Sequence, residues 1–232
     1  MIQNIKELLG KTLVAKDGEM GHAEDFYFDD KNWVIRYLVA NTGSWLTGRL
    51  VLISPHAFGT FDRLEQQMHV ALTKLQIEES PSIDTYLPVS RQFEIEYYQY
   101  YGWPAYWTGD AMWGIGSYPF VIPPTKEEIS ILKKFHRTDD KHLRSTNAVI
   151  GYDIETTDGP VGTVTDLKLD DRSWVISHLV VETGSWLEGK EILIPVSKVE
   201  QINYEESMIN ISLTRNDLLQ TEENAVAKHI KE

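Results

Sequence analysis

Cysteine is missing from all 232 residues. That excludes disulfides, thiolate nucleophiles and zinc or iron–sulfur sites built on cysteine. Basic residues are scarce: 22 Lys and Arg stand against 35 Asp and Glu, a formal net charge of -13. Gripping a phosphate backbone or an anionic lipid surface takes cationic surface, so neither nucleic acid nor a membrane is an expected partner. No uncharged apolar run approaches the roughly 20 residues that span a bilayer. The longest, Trp113 to Pro124, is broken by glycine and proline. Met1 to Glu7 lacks a basic region followed by an apolar core, so no signal peptide is expected and the cytoplasm is the expected location. Aromatics are plentiful, with seven Trp and eleven Tyr, which rules out a disordered chain.

One phrase set occurs twice. Asp17-Gly18-Glu19-Met20-Gly21 returns as Asp158-Gly159-Pro160-Val161-Gly162, an offset of 141 (158 minus 17). Asp29-Asp30-Lys31-Asn32-Trp33-Val34-Ile35 returns as Asp170-Asp171-Arg172-Ser173-Trp174-Val175-Ile176. Thr42-Gly43-Ser44-Trp45-Leu46 returns as Thr183-Gly184-Ser185-Trp186-Leu187. The register holds from Gly10 to Ile77 and from Gly151 to Leu218 without a gap. Such self-similarity means two copies of one fold, each long enough for its own small core.

Within a copy the pattern is β. Ile154 to Thr156 is a short strand, and Asp158-Gly159 is a hairpin turn in which Gly takes positive φ. In the next strand Val164 is one residue out of phase with Leu167 and Leu169, and Ala23 slips likewise against Phe26 and Phe28. One extra residue restores each phase, so β-bulges are expected at Asp25 and Asp166, whose carboxylates would cap the amides set free. Asp170 to Ser173 is a turn, Trp174 to Glu182 a strand, and Glu191 to Pro195 another. Val199 to Tyr204 and Met208 to Leu213 form a last hairpin, with Ile209, Ile211 and Leu213 inward. Thr214 caps a short helix, and Thr73 with Gln76 makes a full capping box. Five or six short strands without a central helix point to a small closed barrel.

Between the copies, Pro81 and Pro88 fence an extended stretch. Ser90 to Tyr101 reads as a helix with Ser90 as N-cap and Gly102 past its end. Phe93, Tyr97, Tyr100 and Tyr101 fall on its one side. Lys126 to His136 reads as a second short helix, Asp139-Asp140-Lys141 as a solvated run and Glu222 to Glu232 as a helical tail. The architecture expected is mainly β: two small barrels, 1–80 and 145–220, joined by an α-helical aromatic insert, 81–144, and followed by a tail, 221–232. Their interiors are expected to be aliphatic, with no wet polar pocket. The copies are expected to pack about a pseudo-twofold axis.

The phrase Asp17-Gly18-Glu19-Met20-Gly21-His22-Ala23-Glu24-Asp25-Phe26-Tyr27-Phe28-Asp29-Asp30, the strand Tyr37-Leu38-Val39 and Leu52-Ile53-Ser54-Pro55, each with its partner in copy two, resemble the PRC-barrel family. Ser90-Arg91-Gln92 and Tyr101-Gly102-Trp103-Pro104 are similar to the central segment of bacterial two-barrel proteins. The resemblance implies tandem small β-barrels of the kind that forms the cytoplasmic domain of the photosynthetic reaction-centre H subunit and the C-terminal domain of a ribosome-maturation factor. It implies protein–protein docking rather than catalysis.

The residues themselves offer little chemistry. Asp29-Asp30 and Asp170-Asp171 sit in turns, where Asp bonds local amides. The seven His form no H-x-H or H-E-x-x-H array, so no metal is expected. Gly114-Ile115-Gly116 lacks the following Lys and Ser/Thr of a phosphate loop. Ser44 lies in no nucleophile elbow. An enzyme is therefore not expected, and no cofactor. Trp45, Leu46, Trp186 and Leu187 on loops, with Trp103, Tyr106 and Trp107 in the insert, either plug a core or anchor a protein partner. Asp17, Gly18, Asp158 and Gly159 are turn residues. The leading expectation is a docking or scaffold module, with a homo-oligomer as one form. The alternatives are a small-ligand or metal-binding regulatory module with its site at the seam between copies, and an accessory to membrane electron transfer.

Overall fold

The computed structural model describes residues 1–62, 66–81, 89, 91–114, 116–120, 143–184, 187 and 189–220. Pro88, Ser90, Lys126 to His136, Asp139 to Lys141, Trp186 and Glu222 to Glu232 lie outside the described residues. The fold is mainly β, in two seven-stranded sheets.

The first sheet holds β2 (Thr12–Ala15), β3 (Gly18–Asp29), β4 (Val34–Asn41), β5 (Leu50–Ile53), β6 (Phe58–Asp62) and β7 (Gln67–Val70). Their order is β5-β4-β3-β2-β7-β6. The second holds β9 (Asp153–Thr156), β10 (Gly159–Asp170), β11 (Ile176–Thr183), β12 (Glu191–Pro195), β13 (Val199–Asn203) and β14 (Met208–Ile211), in the corresponding order β12-β11-β10-β9-β14-β13. The repeat in sequence is thus a repeat in topology. Two short strands complete the sheets. β1 (Ile2–Asn4) pairs with β10, and β8 (Leu143–Ser145) pairs with β3.

The chain divides into two compact units that do not follow chain order. The N-terminal unit comprises Glu7–Ser145 and Asp171–Val175; the C-terminal unit comprises Met1–Lys6, Thr146–Asp170 and Ile176–Glu232. Each unit therefore contains a strand from the other repeat.

The long strands bend where the alternation slips. The β3–β4 register skips between Ala23 and Asp25, and the β10–β11 register between Val164 and Asp166. Asp25 Oδ1 accepts the Phe26 amide at 2.7 Å, and Asp166 Oδ1 accepts that of Leu167 at 2.7 Å. A second irregularity sits at Gly21 and Gly162, where the chain passes close to the neighbouring strand. A Cβ on Gly21 would lie 1.9 Å from the Asn41 carbonyl oxygen, and one on Gly162 2.0 Å from that of Glu182.

Trp174 was expected to open a strand but lies between the preceding turn and the strand. It has φ 59°, as Trp33 has φ 56°, and β11 begins at Ile176. Left-handed backbone is costly for a bulky residue, and ring packing holds both in place. Trp33 stacks on Phe28 at 5.2 Å, and Trp174 lies 4.5 Å from Phe58 within the N-terminal unit. That core is therefore strongly aromatic, whereas Ile154, Val164, Leu167, Ile194 and Ile209 fill the C-terminal unit with aliphatic groups.

Helix α1 (Lys74–Glu78) starts on the Thr73–Gln76 capping box. Helix α2 (Arg91–Tyr101) ends at Gly102, φ 67°, with Gly102 N–H bonded to Gln99 O and Trp103 N–H to Tyr98 O. That pair of bonds is a Schellman stop, and it needs the left-handed residue that glycine supplies. The face α2 buries is Glu94, Ile95, Tyr97 and Tyr98, not the expected Phe93-Tyr97-Tyr100-Tyr101 stripe; Tyr100 is exposed.

Candidate functional site

Each repeat has a surface cavity beside the same turn and loop, and the two cavities share four equivalent lining positions. The β2–β3 turn is fixed by its aspartate: Asp17 Oδ1 accepts the Lys74 amide at 2.8 Å, and Asp158 Oδ1 accepts that of Arg215 at 2.9 Å. The turn is thereby tied to the start of the helical segment that follows each last strand. Gly18 and Gly159 carry the positive φ of these turns. Opposite lies the loop after β4 or β11. Its neck is closed by Thr42, whose hydroxyl donates to Arg49 O at 2.7 Å, and by Thr183, which donates to Lys190 O at 2.8 Å.

Between turn and loop, the first repeat has a cavity of about 560 Å³ lined by Thr12, Glu19, Gly21, His22, Gly43 and Trp45. The second has one of about 390 Å³ lined by Asp153, Glu155, Pro160, Gly162, Gly184 and Arg215. Thr12 and Asp153, Glu19 and Pro160, Gly21 and Gly162, and Gly43 and Gly184 are equivalent pairs under the 141-residue offset. Trp45 is half-buried on the rim. Its Nε1 donates to Met20 O at 2.7 Å, and Lys74 Nζ stands 5.5 Å from the ring centre. Leu46 and Leu187 are half-buried beside these cavities' loops.

A second assembly lies inside the N-terminal unit, where the insert covers β4 and β5. Arg36 is 1% exposed. Its guanidinium reaches Asp29 Oδ2 at 3.1 Å, donates to Met112 O, and lies 3.8 Å from the Tyr106 ring centre. Burial would raise the Asp29 carboxyl, but the Asn32 amide, the Arg36 charge and the Lys31 N–H together hold it below its ordinary value. Glu94, fully buried on α2, accepts from Tyr37 Oη at 3.0 Å and Tyr106 Oη at 2.7 Å. His56 Nδ1 lies 3.0 Å from Ser54 Oγ, and its ring stacks on Trp103. Burial, with Arg36 adding repulsion, pulls the His56 imidazole down to about 3. Outside this layer a cavity of about 400 Å³ is lined by Asp29, Lys31, Arg36, Tyr106, Trp107 and Asp110.

These contacts correct the expectation of aliphatic interiors without a polar pocket. They also place the insert aromatics. Trp103 and Tyr106 are 4% and 5% exposed, and Trp107 is half-buried; Trp103 packs on His56 after β5 and Tyr106 on Arg36 of β4, so the first two rings are used up in holding the insert in place. Among the described residues of the insert, the exposed large apolar side chains are Tyr100, Met112, Tyr118 and Phe120. Arg36, His56 and Glu94 were given no role from the sequence, and Tyr37 was named there only within the strand Tyr37-Leu38-Val39. The repeat nonetheless marked three of them by mismatch, because copy two carries Ser177, His178 and Ser197 there. Where one copy is covered and the other solvated, the equivalent residues diverge. Among the described residues no group of three or more His, Asp or Glu is placed to hold a metal ion.

Comparison with known families bears on the second repeat. Residues 143–218 match the model of the PRC-barrel domain. The second repeat is similar to the PRC-barrel domain. No curated protein matches the chain. The PRC-barrel match begins at β8 and ends in the helical residues after β14, so it spans one complete repeat. Among the described residues no helix is long and apolar enough to cross a membrane.

Proposed function

We propose that the chain is a non-enzymatic protein-docking module of the bacterial cytoplasm, built from two PRC-type barrels. The observation that supports this reading most directly is the repetition of one loop-rimmed cavity at equivalent positions of both repeats. Two like sites on one chain favour a bivalent partner, because the second contact forms at a high effective concentration. A half-buried aromatic on a rim is the type of residue that dominates protein interfaces. The test compares the proteins captured by the full-length chain and by its Trp45→Ala/Trp186→Ala variant. Loss of a specific partner by about tenfold or more, with an unchanged melting temperature, supports docking. A fall of several degrees with unchanged capture assigns both rings to packing and overturns it.

A small-ligand regulatory module is a second reading. It draws on the cavity of about 400 Å³ whose wall combines Arg36 and Lys31 with Asp29, Asp110 and two aromatic rings. A defined non-protein mass retained by the purified chain in native mass spectrometry would favour it over docking.

A further inference from the structure

The strand that completes each sheet comes from the other repeat, and the two transfers are equivalent residue for residue. β1 pairs Ile2 with Asp170, Gln3 with Leu169 and Asn4 with Lys168. β8 pairs Leu143 with Asp29, Arg144 with Phe28 and Ser145 with Tyr27. Adding 141 to one ladder's strand and subtracting it from its partner's gives the other ladder. The bulge aspartates hold both arrivals: Asp166 Oδ1 accepts the Lys6 amide at 3.2 Å, and Asp25 Oδ2 accepts the Ser145 hydroxyl at 2.5 Å. The C-terminal unit also takes in Ile5, which is fully buried. Donor and acceptor are therefore standard parts, present on every copy of the chain.

We propose that the chain associates with a second copy of itself by exchanging this segment, β1 of each molecule pairing with β10 of the other. The pairs formed between molecules are the pairs formed within one, so the exchange changes no contact of the ladder. β1 has only three residues, with Met1 64% and Ile2 57% exposed, and it joins the rest of its repeat through the 3-10 turn Ile5–Glu7. Its hold within one molecule combines this short ladder and the burial of Ile5 with tethering, which acts as a concentration in the millimolar range. A reciprocal exchange closes about a twofold axis and recovers the contact twice, as exchanged dimers do. Dimer content therefore rises with protein concentration. This inference does not depend on the docking reading.

The absence of cysteine makes the test clean. Full-length Ile2→Cys and Asp170→Cys chains, each with a single thiol, are mixed at high concentration, unfolded and refolded together, and oxidised. A parallel mixture is left folded through a long incubation. Exchange yields a reducible heterodimer several-fold above the control mixture of Ile2→Cys with Gln201→Cys. The Ile2→Cys/Asp170→Cys double variant, diluted, reports pairing within one molecule by an internal disulfide. An internal disulfide in the double variant, with heterodimer no higher than the control in either mixture, overturns the proposal. So does failure of the double variant to form that disulfide, since the β1–β10 ladder itself would then be wrong.

Discussion

Asp29 and Asp170 hold the same place in the two repeats and do different work. Asp29 is 3% exposed and neutralises a guanidinium that is itself only 1% exposed. Asp170 is half-exposed and faces the N-terminal ammonium at 3.4 Å. Removing one partner of a buried pair strands the other charge, so Asp29→Ala is expected to cost about 3–5 kcal/mol. Asp170→Ala is expected to stay within about 0.5 kcal/mol. Urea midpoints of the two variants check the contrast. His56 gives a pH signature. Its folded pKa of about 3 lies below its ordinary 6.5, so the native state binds fewer protons than the unfolded one. Its share of stability is complete above pH 6.5 and is lost as pH falls towards 3. Between pH 7 and pH 5 the loss attributable to it is about 2 kcal/mol. His56→Phe is expected to flatten that part of the profile, read from urea midpoints at the two pH values. None of this was visible in composition or motifs. The pairing of Arg36 with Asp29 depends on which face of β4 the insert covers, and the only trace in the sequence is that Ser177 replaces Arg36 in the other copy.

Strands, hairpins and helix caps were legible, because each follows from local rules. The bulges at Asp25 and Asp166 showed as a phase slip, and the Thr73 box and the Gly102 stop showed as residue types at fixed spacing. What local rules missed was set by packing. Trp33 and Trp174 take left-handed backbone that nothing in their own chemistry favours, and they do so against neighbouring rings. Helix α2 buries Tyr98 and Glu94 rather than Tyr100, because β4 and the residue just after β5 offer Tyr37 and Ser54 as partners. The second irregularity in β3 makes its own prediction. Gly21→Ala and Gly162→Ala each push a methyl into a backbone carbonyl, and a cost above about 3 kcal/mol is expected for each. Gly10→Ala, where nothing lies within 4 Å, is expected to cost about 1 kcal/mol. Thermal melts of the three variants measure the difference.

At the scale of the molecule, the sequence showed two copies but not which strand completes which sheet. Alternation and turn signals define a strand's faces and ends; they are blind to the origin of its neighbour, since β3 and β10 both offer an aspartate followed inward by a large apolar residue, Asp29 and Phe28 on one, Asp170 and Leu169 on the other. The transfers have a practical result. Residues 1–6 belong to the C-terminal unit and residues 143–145 to the N-terminal one, with the insert lying between them along the chain. A protease that cut the backbone once, anywhere from 121 to 142, would sever the covalent path between the halves while leaving each half's strand lodged in the other. The two pieces would then behave as clasped hands, migrating as one species in native buffer and parting only when the sheets themselves come undone.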